Sequence, residues 1–241
     1  MPCFYLPEMS QDSTYLTVES EEYHHIINVY RKRKGDEILI TNGKGILGKA
    51  IIEEIGKKAL KVRILNQDVS NKKGRHIAAA FSLLKNKNDN LIVEKLTELG
   101  VDEFFPFVAQ RSVRQKGENT EERFQKTAIA AIKQCDNPFL PQINRVKELS
   151  SLLEHLTEQG YAVFVALERD TEVYLPQLIG SPYPEKIVVF IGSEGGFTDE
   201  EVELFQSKNA TCFTICSNIL RAETAAIAAV SQLILTLETL N

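Results

Sequence analysis

Histidine and cysteine are too scarce in this chain to suggest metal or disulfide chemistry. Four of each occur in 241 residues, and the cysteines stand at positions 3, 135, 212 and 216. That spacing matches neither a zinc site nor a disulfide framework, so no metal is expected. Cys212 and Cys216 alternate with Phe213 and Ile215, which predicts burial at a strand end. His24 and His25 fall on a short predicted helix, one ring toward the core and one toward solvent. No apolar run approaches the length of a membrane span. The start, Met1 to Tyr5, has no basic region leading into an apolar core. Both absences predict a cytoplasmic protein with no membrane association. Positive charge is also short, with 28 Lys and Arg against 33 Asp and Glu. A net charge of -5 argues against a strong, nonspecific nucleic-acid binder. The deficit is uneven, because residues 1–76 hold 13 basic against 10 acidic side chains. Any polyanion would meet that first third before the rest.

The first seventy residues read as short β segments and turns. Glu37–Thr41 leads into Asn42 and Gly43, a strong hairpin signal, and Gly45–Ile52 and Ala59–Leu65 supply further strands. Ser20–Tyr30 is predicted as a short helix capped by Ser20, with Tyr23, Ile26, Ile27 and Tyr30 on one stripe. Together these predict a small β-barrel-like domain over residues 1–72, bounded by the polar run Asn66–Arg75. The rhythm then changes to strand and helix in alternation over 73–241. Ile77–Ser82, Val101–Val108 (interrupted by Pro106), Tyr161–Leu167, Lys186–Ile191 and Thr211–Ile215 are the predicted strands. Helices are expected over Asp89–Leu99, Thr120–Cys135, Ser150–Gly160 and Ala222–Glu238. In the first of them Leu91, Ile92, Lys95, Leu96 and Leu99 form much of one face. Apolar strands alternating with helices imply an α/β domain with a mostly parallel sheet.

Three loops follow the carboxyl ends of predicted strands, where open α/β sheets hold their ligands. They are Glu168–Thr171, Gly192–Thr198 and Cys216–Arg221. The glycines of the second permit close backbone approach, and Thr198 with Glu201 spells a capping box. Familiar phosphate motifs are missing: there is no G-x-x-x-x-G-K-[ST] and no G-x-G-x-x-G after a first strand. A serine triad is excluded too, since no histidine follows Ser193. Arg221 stands at a helix start, where the dipole disfavours a cation, so it is either part of an ordinary ion pair or cap or is held there for a ligand or partner. Glu223, in the first helical turn, is already well placed and says less. Arg31, Arg33 and Lys34 could grip RNA phosphates or form a solvated turn. Arg111, Arg114 and Lys116, in a predicted loop of the second domain, allow either role as well.

Taken together, these segments resemble the bacterial 16S ribosomal RNA uridine-N3 methyltransferases of the SPOUT superfamily. The likeness runs through His24–Arg31, Lys34–Asp36, Asn42–Gly45 and Glu94–Val101, and is most specific at Ile191–Thr198 and Ile219–Ala225. It implies an N-terminal PUA-like RNA-binding domain and a C-terminal α/β domain with a deep trefoil knot. The implied cofactor is S-adenosyl-L-methionine, held by Leu167, Glu168, Gly192, Ser193, Glu194, Gly195, Gly196, Ile215, Cys216, Ser217, Asn218, Ile219 and Leu220. It further implies catalysis by Arg221 with Glu194 and Glu223, and RNA contacts at Arg31, Arg33, Lys34, Arg111 and Arg114. The partners implied are small-subunit ribosomal RNA or the 30S particle, and a second copy in a homodimer. Two positions depart from the usual spelling: Ser193 stands where proline is common, and Cys216–Asn218 replaces a segment with glycine and arginine. Two other readings remain, a non-catalytic RNA-binding or ribosome-assembly protein and a methyltransferase acting on another RNA nucleotide.

Overall fold

A computed structural model describes residues 1–72, 74–114, 117–168, 173–175 and 184–239. They form two compact units, Met1–Lys73 with Ile129–Leu140, and Gly74–Ala128 with Pro141–Asn241.

In the first unit, β1 (Cys3–Tyr5), β2 (Tyr15–Glu19), β3 (Glu37–Thr41), β4 (Ile46–Ile55) and β5 (Ala59–Val69) make one sheet in the order β1-β3-β4-β5-β2. The β1–β3 pair is parallel and the others antiparallel. Residues of β4 alternate in and out, so Ile46, Ala50 and Ile52 reach the core while Lys49 and Glu53 do not. Two register shifts in β4 add local twist, and the sheet curls into a half-barrel with β1 and β2 as its edges. The expected hairpin forms at Asn42–Gly45, where the Asn42 side chain accepts the Lys44 N–H at 2.8 Å and the Ile46 N–H at 3.1 Å. Gly45 is required there: its φ is +103°, and a Cβ would lie 2.4 Å from the Ser70 carbonyl oxygen.

The predicted helix after β2 is α1 (Ser20–His24) followed by a π-helical turn, His25–Val29. Two expectations fail here. Ser20 does not cap; it is itself the first helical residue, at φ +54°, and no side chain caps the helix. Tyr30 also leaves the stripe, being 54% exposed while Ile26 is fully buried. The wider π turn advances the phase after Ile26, so a 3.6-residue period cannot carry Tyr30 inward.

The second unit carries β6 (His76–Ser82), α2 (Asp89–Glu98), β7 (Glu103–Val108), α3 (Thr120–Gln134), β8 (Gln142–Ile143) and β9 (Lys147–Glu148). They are followed by α4 (Leu149–Glu158), β10 (Ala162–Leu167), β11 (Lys186–Ile191), α5 (Asp199–Ser207), β12 (Thr211–Thr214) and α6 (Ala222–Thr239). Its sheet runs β12-β10-β11-β6-β7-β8, with β9 also on β7, and every pair is parallel. Ala78–Phe81 and Ile187–Phe190 are fully buried, as continuous apolar strands covered on both faces should be. Pro106 is accommodated inside β7 because β8 pairs with Glu103 and Phe104 and β9 with Phe107 and Val108. It sits in the gap between them, where a missing N–H breaks no ladder. The buried face of α2 is Asp89, Ile92, Val93, Leu96 and Thr97 rather than the stripe expected; Leu91 and Leu99 are exposed. The face is turned by one position from that stripe, because a buried aspartate and threonine complete its i, i+3, i+4, i+7 pattern.

At the amino ends of β6 and β7, the Glu103 carboxylate accepts the Tyr161 hydroxyl at 2.7 Å and the Asn144 amide at 2.8 Å, and lies 2.9 Å from His76 Nε2. Burial pushes its carboxyl up, but the hydrogen bonds from His76, Asn144 and Tyr161 outweigh this and hold it below the usual range. A depressed folded-state value contributes stability that is present above the unfolded value of about 4.3 and lost as pH falls through the folded one. Glu103→Gln should therefore flatten the acid limb of a melting-temperature profile between about pH 5 and pH 3. An acid limb parallel to wild type would refute the assignment.

Candidate functional site

Because β10, β11 and β12 run parallel, their carboxyl ends emerge on one side of the sheet. A cavity of about 530 Å³ opens there. Its walls include Leu167 and Glu168 at the end of β10, Ile191–Ser193 and Gly195–Phe197 at and beyond the end of β11, and Leu220, Ala222 and Ala225 around the start of α6. A smaller recess, lined by Ile215, Cys216 and Asn218, shares Leu167, Glu168, Leu220 and Ala225 with it. All three predicted loops thus meet at one place. Of the first, Arg169, Asp170 and Thr171 lie outside the described residues, as does Lys116.

The glycine loop is a tight turn closed by the Gly196 N–H donating to the Ser193 carbonyl at 2.9 Å. A Cβ on Gly192 would press on Gly196 and the Phe197 ring at 3.2 Å. Ser193 is buried, and its hydroxyl accepts the Gly195 N–H at 3.4 Å. Where the resembled loops often carry proline, this loop thus has a long internal hydrogen bond. The capping box forms as expected: Glu201 N–H donates to Thr198 Oγ1 at 3.2 Å, and Thr198 N–H to Glu201 Oε2 at 2.9 Å. Glu201 has a second use that local spelling could not reveal. Its other oxygen accepts the Gln110 N–H at 2.8 Å, tying the segment after β7 to the loop after β11.

Arg111 tightens that tie. Its Nη1 donates to the Gly195 carbonyl at 3.0 Å and to the Phe197 carbonyl at 2.9 Å, and it lines the cavity. Its guanidinium thus clamps the glycine loop while the residue stays exposed. Arg114 likewise has internal partners, reaching the fully buried Asp89 carboxylate at 2.5 Å, with Arg123 on the other oxygen at 3.2 Å. Glu194 is exposed and its carboxylate accepts the Lys85 N–H at 2.8 Å, which orients it at the end of β6.

The third loop is held by the Gln232 amide, which donates to the Ile215 carbonyl at 3.1 Å. Cys216 and Cys212 are only half-buried, short of the burial expected, and Cys216 Sγ donates to the Asn218 carbonyl at 3.4 Å. Burial raises the Cys212 thiol above its ordinary value, so it is not a poised nucleophile. Ser217, Asn218 and Ile219 are exposed, and of these only Asn218 lines either recess. Arg221 is exposed immediately before α6, and its carbonyl accepts the Ala225 N–H at 2.8 Å. Among the described residues no hydrogen bond or ion pair joins Arg221, Glu194 and Glu223. No group of metal-ligating side chains occurs among them either, and no helix is long and apolar enough to cross a membrane. In the first unit Arg31, Arg33 and Lys34 are all exposed on a turn in which Asp36 Oδ2 accepts the Arg33 N–H at 2.8 Å.

A parallel α/β sheet, a ligand-sized cavity at its carboxyl edge and a clamped glycine loop define a protein that holds a small molecule there. The chain belongs to the RNA methyltransferase family: residues 71–234 match its RNA methyltransferase domain, and residues 18–65 match the RNA methyltransferase PUA domain. The ribosomal RNA small subunit methyltransferase E of Bacillus subtilis is 28% identical over 233 residues, covering 92% of this chain and 91% of that protein. Its namesake from Rickettsia conorii is 29% identical over 226 residues, covering 93% and 91%. A crystal structure of the Neisseria gonorrhoeae enzyme of that name, bound to S-adenosyl methionine, aligns with a TM-score of 0.87 at 24% identity, covering 97% of this chain and 96% of that one.

Proposed function

We propose that this protein methylates N3 of a uridine in small-subunit ribosomal RNA, using S-adenosyl-L-methionine and acting as a homodimer in the cytoplasm. The observation that carries the reading is the meeting of the three strand-end loops around one cavity and its adjoining recess, with the exposed Arg221 next in sequence to Leu220 and Ala222 of the wall. The residues present fit the cofactor. Gly192, Gly195 and Gly196 put backbone without side chains on the cavity wall, Gly196 with open space where a Cβ would stand, and Leu167, Leu220, Ala222 and Ala225 offer apolar surface. We assign the trefoil knot, implied by the family resemblance, to the C-terminal end of the chain. The boundary between the RNA-binding and catalytic parts is assigned to residues 72 and 73.

S-adenosylmethionine, when bound, supplies an electrophilic methyl group. The chain must place the acceptor in line and stabilise the nucleobase as its N3 proton leaves. Arg221 and the positive end of α6 lie together, an arrangement unfavourable in isolation but suited to an anion. Arg221 stabilises the charge that grows on the uracil oxygens. Glu194, held by the Lys85 N–H, and Glu223, in the first turn of α6, orient the base or the arginine. The N3 edge takes part in base pairing, so the target must be unpaired or flipped. Mapping modified nucleotides in ribosomal RNA from cells with and without the gene tests the proposal. Loss of one N3-methyluridine supports it; an unchanged small-subunit RNA, or loss of another modification, overturns it.

The clamp on the glycine loop makes a separate prediction. Arg111→Ala should weaken cofactor affinity by roughly tenfold, the worth of a hydrogen bond or two from a charged donor. Arg111→Lys should recover part of it, since a lysine reaches one carbonyl but not two in a fixed fork. Calorimetry with S-adenosylmethionine reads both, and wild-type affinity in the alanine variant would discard the clamp.

A further inference from the structure

The stretch from Val29 to Lys34 is built in a way that packing does not explain. Tyr30 is 54% exposed and Val29 58% exposed. Tyr30 is no loose side chain, however: its ring meets the buried Phe4 ring edge-on, centroids 5.5 Å apart and planes at 87°. Such a contact occupies at most one face of the tyrosine and fixes its direction. The backbone holds it as well, with the Tyr30 N–H on the His25 carbonyl at 2.9 Å and the Lys32 N–H on the Ile26 carbonyl at 3.0 Å. Between them Arg31 takes φ +52°, the left-handed position at which helices ordinarily end in glycine. An arginine kept in a conformation that disfavours it points to a use for its side chain. Arg33 and Lys34 are exposed on the same turn, while Lys32 turns back to the Glu37 carbonyl at 3.1 Å.

A rigid aromatic face beside three exposed cations suits a stacked base with its neighbouring phosphates. The other exposed tyrosine of this unit, Tyr15 in β2, does not offer it, because Lys61 Nζ already lies over its ring at 4.5 Å. We propose that Tyr30 is a stacking platform for an unpaired RNA base, with Arg31, Arg33 and Lys34 holding the flanking backbone. The proposal rests on the reading of this protein as one that acts on RNA, and adds that the first unit grips a single-stranded element.

Binding of the full chain to a short, unstructured oligouridylate, measured across a salt series, tests it. Tyr30→Leu keeps apolar cover over Phe4 but has no π face; it should weaken binding about 5- to 100-fold and leave the salt slope unchanged. Tyr30→Phe should bind like wild type, and Arg31→Ala with Arg33→Ala should flatten the salt slope instead. Equal binding by Tyr30→Leu and wild type, with the arginine variant weakened, overturns stacking while leaving RNA recognition in place. Loss of binding in Tyr30→Phe as well would overturn it too, and failure of the wild-type chain to bind would overturn both readings. Thermal melts of each variant separate a binding loss from a folding loss.

Discussion

Replacing Arg221 with alanine is expected to slow methyl transfer by about 10²–10³-fold, the loss seen when one preorganised donor to a developing oxyanion is removed. Cofactor affinity should change little, because Leu220, Ala222 and Ala225 line the cavity around Arg221 while Arg221 itself does not. The asymmetry is the test. Single-turnover methylation reports the chemical step, and calorimetry with S-adenosylmethionine reports the cavity. Arg221→Lys should recover only part of the rate, since a compact ammonium cannot span two positions as a guanidinium does. Equal losses in rate and cofactor affinity would place Arg221 in the cofactor site and remove it from the reacting base. The exposed guanidinium adds a stability expectation, since removing a cation from the positive end of α6 should leave the melting temperature unchanged or slightly raised.

What could be read from the sequence follows the range over which each signal acts. Thr198 and Glu201 are three residues apart, so their capping box is a local fact, and it forms as spelled. The strands β10 and β11 are largely apolar runs and β12 a shorter mixed one, and placing loops at their ends needs only the parallel-sheet rule. The clamp by Arg111 spans 84 residues of sequence and leaves no local mark. Its basic character was legible, but its partner is a carbonyl, which every residue has. The same limit applies to Ile129–Leu140, which joins the first compact unit although it begins inside α3, with no break in the helical rhythm at Ile129. There Gly45 N–H meets the Pro138 carbonyl at 2.8 Å, a contact that periodicity cannot anticipate. Tyr30 was misread for another reason: a single π turn shifts the phase, and a regular period has no way to register it.

Asp89 shows in the sequence only as the first residue of an expected helix, yet it carries the largest expected loss of stability. Its carboxylate is fully buried, with Arg114 on one oxygen and Arg123 on the other. Asp89→Ala would leave two guanidiniums facing each other across a space that neither can leave freely. Removing one partner of a buried ion pair costs about 3–5 kcal/mol. Both arginines keep some solvent access, 21% and 18% of their side chains, so the lower end of that range is expected. A loss of about 3 kcal/mol corresponds to a fall in melting temperature of roughly 6–12 °C for a chain of this size. Asp89→Asn should cost less, because an amide oxygen can still accept from one arginine. Replacing Asp89 and Arg114 together by leucine should recover part of the alanine loss, as buried pairs exchanged for apolar side chains often do. A melting temperature within about 2 °C of wild type for Asp89→Ala would mean that water replaces the carboxylate, and that the cluster orients Arg114 without stabilising the fold.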